Sequence, residues 1–189
     1  MNDVKKIVAN LNLPKAISIE YGGIYKEQQQ SFKEMIFVIV AAALLIVTLL
    51  LAFYENIKTA AIILLTVFLS LPGVFLGLWL TSTELNLTAL IGLTMILGIV
   101  AKTAMYYFSE LEALAYRGIR KFIKAGQRRL RPVIMTAAIA ILSLIPLALG
   151  IGSGAQMQAP LAIAIISGLL FEIPVVLILM PLVAIRFRS

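Results

Sequence analysis

At 189 residues, 61% of them hydrophobic and only 13% charged, with a mean hydropathy of +1.03, the chain is far too apolar for a soluble domain of its length. Its net charge of +7 comes with no histidine and no cysteine, so soft-metal centres and thiol catalysis are excluded. The few carboxylates form no cluster that would hold a metal through oxygen alone, and neither a metal nor a cofactor is expected. Ten-residue segments of alternating polarity, the signature of a membrane barrel, are missing, so the chain is expected to be an all-α integral membrane protein.

The leading residues differ from the rest. Val4, Ile7, Val8 and Leu11 recur at helical spacing and Pro14 ends that helix; Ile17, Ile19 and Tyr21 then alternate with polar neighbours as a strand does, stopped by Gly22 and Gly23. One helix and one strand bury too little apolar surface to offset their ordering entropy. Residues 1–34 are therefore expected to be the closing piece of a domain whose other strands lie elsewhere, followed by a glutamine-rich polar helix, Tyr25–Glu34, that leads into the membrane.

Five apolar runs follow, Met35–Phe53, Thr59–Leu80, Leu87–Phe108, Pro132–Ile151 and Leu161–Ile185, each near the ~20 residues that cross a hydrocarbon core as helix. They make residues 35–189 a five-span membrane domain. In the second run Gly73 and Gly77 form a small-xxx-small pair suited to close helix packing, or, with Pro72 beside them, to a bend. The third run carries one charge, Lys102, and an ionisable group at membrane depth is costly unless paired or hydrated. Two readings of Lys102 stay open: it is a functional charge, or it snorkels its amine to the interface about 9 Å away at the helical rise. Tyr106 and Tyr107 are expected to be interfacial anchors, and Trp79 to lie in the opposite aromatic belt.

Between the third and fourth runs lies a basic connector, 109–131, with Arg117, Arg120, Lys121, Lys124, Arg128, Arg129 and Arg131. Its apolar residues, among them Leu111, Leu114, Phe122 and Ile123, suggest an amphipathic helix pair on an anionic lipid leaflet rather than a nucleic-acid site. With Lys58 and the tail arginines 186 and 188, these cations fall on one side of a five-span bundle. The connections Thr81–Asn86 and Gly152–Pro160 have no lysine or arginine. By the positive-inside rule the C-terminus is cytoplasmic and residues 1–34 lie outside, which obliges a chain started at Met1 to export a charged tail unaided. Gly150-Ile-Gly-Ser-Gly lacks the Gly-Lys-Ser/Thr ending of a phosphate loop.

Depth along the helices groups Lys102 with Thr136, which lies four residues past Pro132 and so about 6 Å into the returning helix. Glu172 in the fifth run counts to about 20 Å from the inner end, roughly 10 Å above Lys102, so no direct ion pair between them is expected. It is read either as a neutral acid bonded to a carbonyl freed by Pro174, or as a carboxylate facing a hydrated cavity.

Several of these strings, in this order, resemble a known family. Leu13-Pro-Lys-Ala-Ile-Ser-Ile-Glu-Tyr-Gly-Gly before a glutamine-rich stretch and a span looks like the end of the last periplasmic porter strand of resistance–nodulation–division (RND) efflux permeases. Gly98-Ile-Val-Ala-Lys-Thr, Arg129-Leu-Arg-Pro-Val-Ile-Met-Thr136 and Gly152-Ser-Gly-Ala-Gln-Met-Gln-Ala-Pro-Leu-Ala are similar to that family's tenth span, its eleventh span and the loop before its twelfth. The resemblance covers essentially the whole chain but only the last fifth of a family member. It implies a C-terminal five-helix half-bundle, spans eight to twelve, behind a short αβ remnant of a porter domain.

The resemblance also implies roles. Lys102, Arg129 and Thr136 match groups of the family's proton relay, whose two aspartates lie on the fourth span, outside this sequence. Thr103 stands where the family commonly has asparagine, and Ser109 where it has an acid. The implied protein is no enzyme but part of a proton-driven exporter of drugs or other small toxic compounds in the bacterial inner membrane. Its implied partners are the first seven spans and porter domain, in cis or in trans, and a periplasmic adaptor and outer-membrane channel, with a trimer in the intact form. A truncated inactive remnant and a small helper subunit of a split transporter are the alternatives.

Overall fold

Five long helices, each apolar enough to cross a membrane, account for nearly all of the computed structural model, which describes residues 24–54, 56–115 and 118–188. The helix and strand expected before Gly22 lie outside these residues. The chain divides into two compact units, Met1–Lys33 and Glu34–Ser189. The described part of the first is helical, and the second contains the bundle.

Helix α1 spans Ile24–Tyr54, α2 Ile57–Leu80, α3 Leu87–Ala113, α4 Ile119–Ala148 and α5 Ala155–Pro174; α5 continues through a π-helical turn, Val175–Leu179, into α6, Met180–Arg188. Local chemistry sets the starts. Asn56 caps α2 by accepting from the Lys58 amide at 3.0 Å, and Asn86 caps α3 by accepting from the Ala89 amide at 3.0 Å. Gly154, at φ +79°, caps α5 in the left-handed region that a side chain enters only with strain.

α5 is the centre of the packing and lies against α2, α3 and α4. Small residues let it approach closely. A Cβ on Gly73 would strike the Phe171 side chain and one on Gly77 would strike Ser167, so α2 and α5 run antiparallel in close contact. A Cβ on Gly92 would sit 2.8 Å from Ala164 Cβ, and one on Gly168 2.6 Å from Ile96 Cγ1. These contacts run in the same direction along both helices, so α3 and α5 are parallel. By contrast α1 and α4 are peripheral. Only 6% of the apolar stretch of α1 and 11% of that of α4 is covered, leaving Phe37, Leu44, Leu45, Met135, Ile139 and Leu142 on the surface for lipid or further helices.

Three local features depart from the sequence reading. Helix α3 continues past Phe108 to Ala113, so Glu110 and Glu112 lie on the helix and not beyond it. Residues 119–131 are the opening turns of α4, which passes through Pro132 and Pro146 without a break, in place of a separate interfacial pair. The carbonyl that Pro132 frees is that of Arg128, four residues earlier in the basic opening turns of α4, while the Thr136 hydroxyl back-bonds to the Pro132 carbonyl at 3.0 Å. Tyr107, expected at the interface, is fully buried; its hydroxyl donates to the Phe122 carbonyl at 3.1 Å and its ring meets Phe108 edge-on. Hydropathy marks where a side chain tolerates lipid, but a tyrosine with a bonded hydroxyl suits a helix interface equally well.

Candidate functional site around Lys102

The side chain of Lys102 is exposed on α3 and opens into a cleft of about 630 Å³ between α3 and the second half of α1. Ile46, Leu49, Leu50 and Phe53 form the α1 wall; Gly98, Ala101 and Met105 form much of the other. Polar atoms are few, and besides Lys102 they come from Tyr54, Tyr106, Ser109 and Glu112. Tyr54 fastens α1 to this wall, its hydroxyl donating to the Met105 carbonyl at 2.9 Å and its ring packing edge-on to Phe108 at 6.3 Å. The cleft thus presents the Lys102 side chain in a groove with mostly apolar walls.

Arg129 lies toward the same end of the bundle but in a different setting. Its guanidinium donates to Glu110 Oε2 at 3.2 Å and stacks over the Tyr106 ring at 5.5 Å, while Arg128 donates to Glu110 Oε1 at 3.0 Å. Glu110 therefore ties the end of α3 to the start of α4 with two charged hydrogen bonds. Arg129 Nε is buried with no acceptor. Thr136 is on the exposed face of α4, and its hydroxyl is spent within its own helix on the Pro132 and Val133 carbonyls. Among the described residues no hydrogen bond or ion pair joins Lys102 to Arg129 or Thr136. The structure brings Arg129 to α3 through Glu110 and Tyr106, and leaves Thr136 at the surface.

Glu172 is almost fully buried, at 3% exposure, in the last turn of α5 before Pro174 and the π-helical turn. Of the groups on α3, the Thr103 hydroxyl and the charge of Lys102 act on its carboxyl, and that hydroxyl itself donates to the Ile99 carbonyl at 3.0 Å. Counting residues had put it well above Lys102. That count assumed a perpendicular crossing ending at Ile185, whereas the fifth span runs 32 residues, Ala155–Arg186, longer than the membrane is thick. Depth is set by the neighbour. The contacts of Gly92 with Leu161 and Ala164, and of Gly168 with Ile96, fix a register that brings Glu172 level with Val100–Thr103. The sequence marks Thr103 only as standing where the family commonly has asparagine; its place directly after the cation of the third apolar run was the signal for a role beside Glu172.

Among the described residues no three histidine, cysteine or acidic side chains are grouped as they would be to hold a metal ion.

Comparison with known proteins places this arrangement. The cobalt-zinc-cadmium resistance protein CzcA of Cupriavidus metallidurans is 29% identical over 93% of this chain, which corresponds to 17% of that protein. The multidrug resistance protein MdtC of Erwinia tasmaniensis is 31% identical over 94% of the chain and 18% of its own length. The crystal structure of a heavy metal efflux pump superposes with a TM-score of 0.83 at 26% identity, over 99% of this chain and 19% of that one. The chain thus spans less than a fifth of the length of the proteins it is similar to. Since residues 1–188 match the AcrB/AcrD/AcrF family from end to end, the chain belongs to that family, the RND permeases.

Proposed function

We propose that the chain forms spans eight to twelve of a proton-driven RND efflux permease of the bacterial inner membrane, and that Lys102 is the charge through which its helices respond to proton movement. One observation carries the reading: a membrane lysine opens into an apolar cleft between α1 and α3, on a chain that belongs to a permease family. A cation so placed invites an acidic partner from a further helix, and its cost is offset when that partner arrives. Arg129 and Thr136 complete the proposed relay layer, Arg129 through the Glu110 and Tyr106 cluster. Gly73 and Gly77 hold the α2–α5 contact on which the layer rests.

Residues 1–34 and 35–189 are proposed as a porter remnant with its lead-in helix and as the five-span domain. The N-terminus lies in the periplasm, the C-terminus and the basic 109–131 segment in the cytoplasm, the latter against anionic lipid. The work is transport rather than catalysis. Small toxic solutes are exported, and a porter domain on the rest of the permease, acting with an adaptor and an outer-membrane channel, selects them.

The test completes the transporter. The chain is fused or co-expressed with a relative's first seven spans and porter domain, and export of a metal cation and of a dye is measured in cells. Export that Lys102→Ala abolishes without loss of membrane insertion is the expected result. Full export by Lys102→Ala would leave snorkelling as the account of this lysine.

A further inference from the structure

We propose that Glu172 is a proton-carrying acid of the bundle, with the Thr103 hydroxyl as its switching partner and Lys102 as the charge that governs its occupancy. The acid is buried on the central helix of the fold, on the side where α5 is parallel to α3, and the glycine contacts set its level independently. A carboxylate in that position is costly unless a donor or a cation compensates it, and a protonated acid needs an acceptor for its own O–H.

Thr103 can serve both. Its hydroxyl has one proton and two lone pairs, and it donates to the Ile99 carbonyl at 3.0 Å. In that state it accepts from the protonated acid; when Glu172 loses its proton, the same hydroxyl turns away from Ile99 and donates to the carboxylate. One rotor satisfies both forms without moving a helix. Lys102, next in the chain, contributes charge from the cleft side.

Few other groups compete. Among the described residues α2 brings only Lys58, roughly 20 Å along the helix from the level of Gly73. From Pro132 to Ala148 α4 has no charged side chain, and beyond the π-helical turn the first charge is Arg186. On α3 the remaining titratable groups are Tyr106, Tyr107, Glu110 and Glu112. Tyr107 is bonded to the Phe122 carbonyl and Glu110 to Arg128 and Arg129, while Tyr106 and Glu112 line the Lys102 cleft.

Glu172 also adjoins the one place where α5 is not a regular helix. The Val175 amide donates to the Glu172 carbonyl, and Pro174 and the π-helical turn follow. Wide turns of this kind are frequent at functional sites because they loosen the hydrogen-bond ladder. A change of charge at Glu172 therefore acts at a mechanically soft point of the fifth span.

The place of this acid in transport rests on the permease reading; its protonation does not, and the experiment separates the two. The full chain in liposomes is treated with dicyclohexylcarbodiimide, which modifies protonated carboxyl groups in apolar surroundings, and the adduct at Glu172 is quantified by peptide mass spectrometry across the accessible pH range. Labelling should increase as pH falls. It should be several-fold greater at neutral pH in Lys102→Ala, which removes the compensating charge, and greater in Thr103→Val, which removes the donor, with helicity by circular dichroism unchanged. Labelling that is absent, independent of pH, or the same in either variant as in the parent overturns the proposal. A completed transporter that exports while Glu172 fails this test would leave the permease reading standing without the acid.

Discussion

Lys102 and Arg129 illustrate how two cations on neighbouring helices can differ in kind. Arg129 has a partner within the chain and lies where α3 and α4 leave the bundle, and a partly exposed pair of this sort is worth about 1 kcal/mol or less. Lys102 lies in a cleft instead. In the completed transporter Arg129→Ala is therefore expected to lower thermal stability slightly and to lower export less than Lys102→Ala does. Lys102→Arg is expected to abolish export, since a planar guanidinium keeps its proton and does not fit a compact ammonium site. Thr136→Ala should have a milder effect than Lys102→Ala, because the hydroxyl is engaged within α4. Export and protease-resistance measurements on the same membranes check all three; export surviving in Lys102→Arg would remove proton transfer from the role of this residue.

Among the helices, α2 and α5 make the tightest contact, and its tolerance can be stated in advance. Gly77→Leu must push its side chain into Ser167, so destabilisation of about 1–3 kcal/mol is expected. Gly98→Ala is the control, because nothing lies within 4 Å of the added methyl group, and helix propensity then favours alanine by up to about 1 kcal/mol. Detergent titration followed by circular dichroism compares the two; equal stability would mean that the α2–α5 contact is looser than described. The five helices were legible because lipid imposes one solvent on a long run of residues. Their ends were less so: Glu110 and the basic turns of α4 are helical although their side chains belong to water. Nor did periodicity reveal that Tyr107 faces inward or that Thr103 meets Glu172. Those depend on which neighbour each helix meets and in what register, and the register comes from glycines far apart in the chain.

The whole molecule bears its charge unevenly, and orientation follows from that. Ser153 lies in the uncharged turn between α4 and α5, Gln127 among the arginines at the start of α4, and both are exposed. The sequence has no native cysteine, so this chain adds no background to the labelling of a single cysteine placed in it. In the completed transporter Ser153→Cys should react with a membrane-impermeant thiol reagent added to intact cells, and Gln127→Cys should react only after the membrane is opened. The reverse pattern would invert the proposed topology.

The central position of α5 also has a consequence for biosynthesis. Helices α2, α3 and α4 leave the ribosome before it, so the glycine-lined surfaces that fit Ala164, Ser167 and Phe171 are made while their counterpart is still untranslated. Until then lipid or the insertion machinery must occupy the place of the missing helix. Helices α2 and α3, and α3 and α4, can meet before then, but the contacts that each of the three makes with α5 form only when this late helix arrives. Quality control that inspects unfinished membrane proteins has its window in that interval, and a lesion in α5 would leave one face of each of the three earlier helices uncovered.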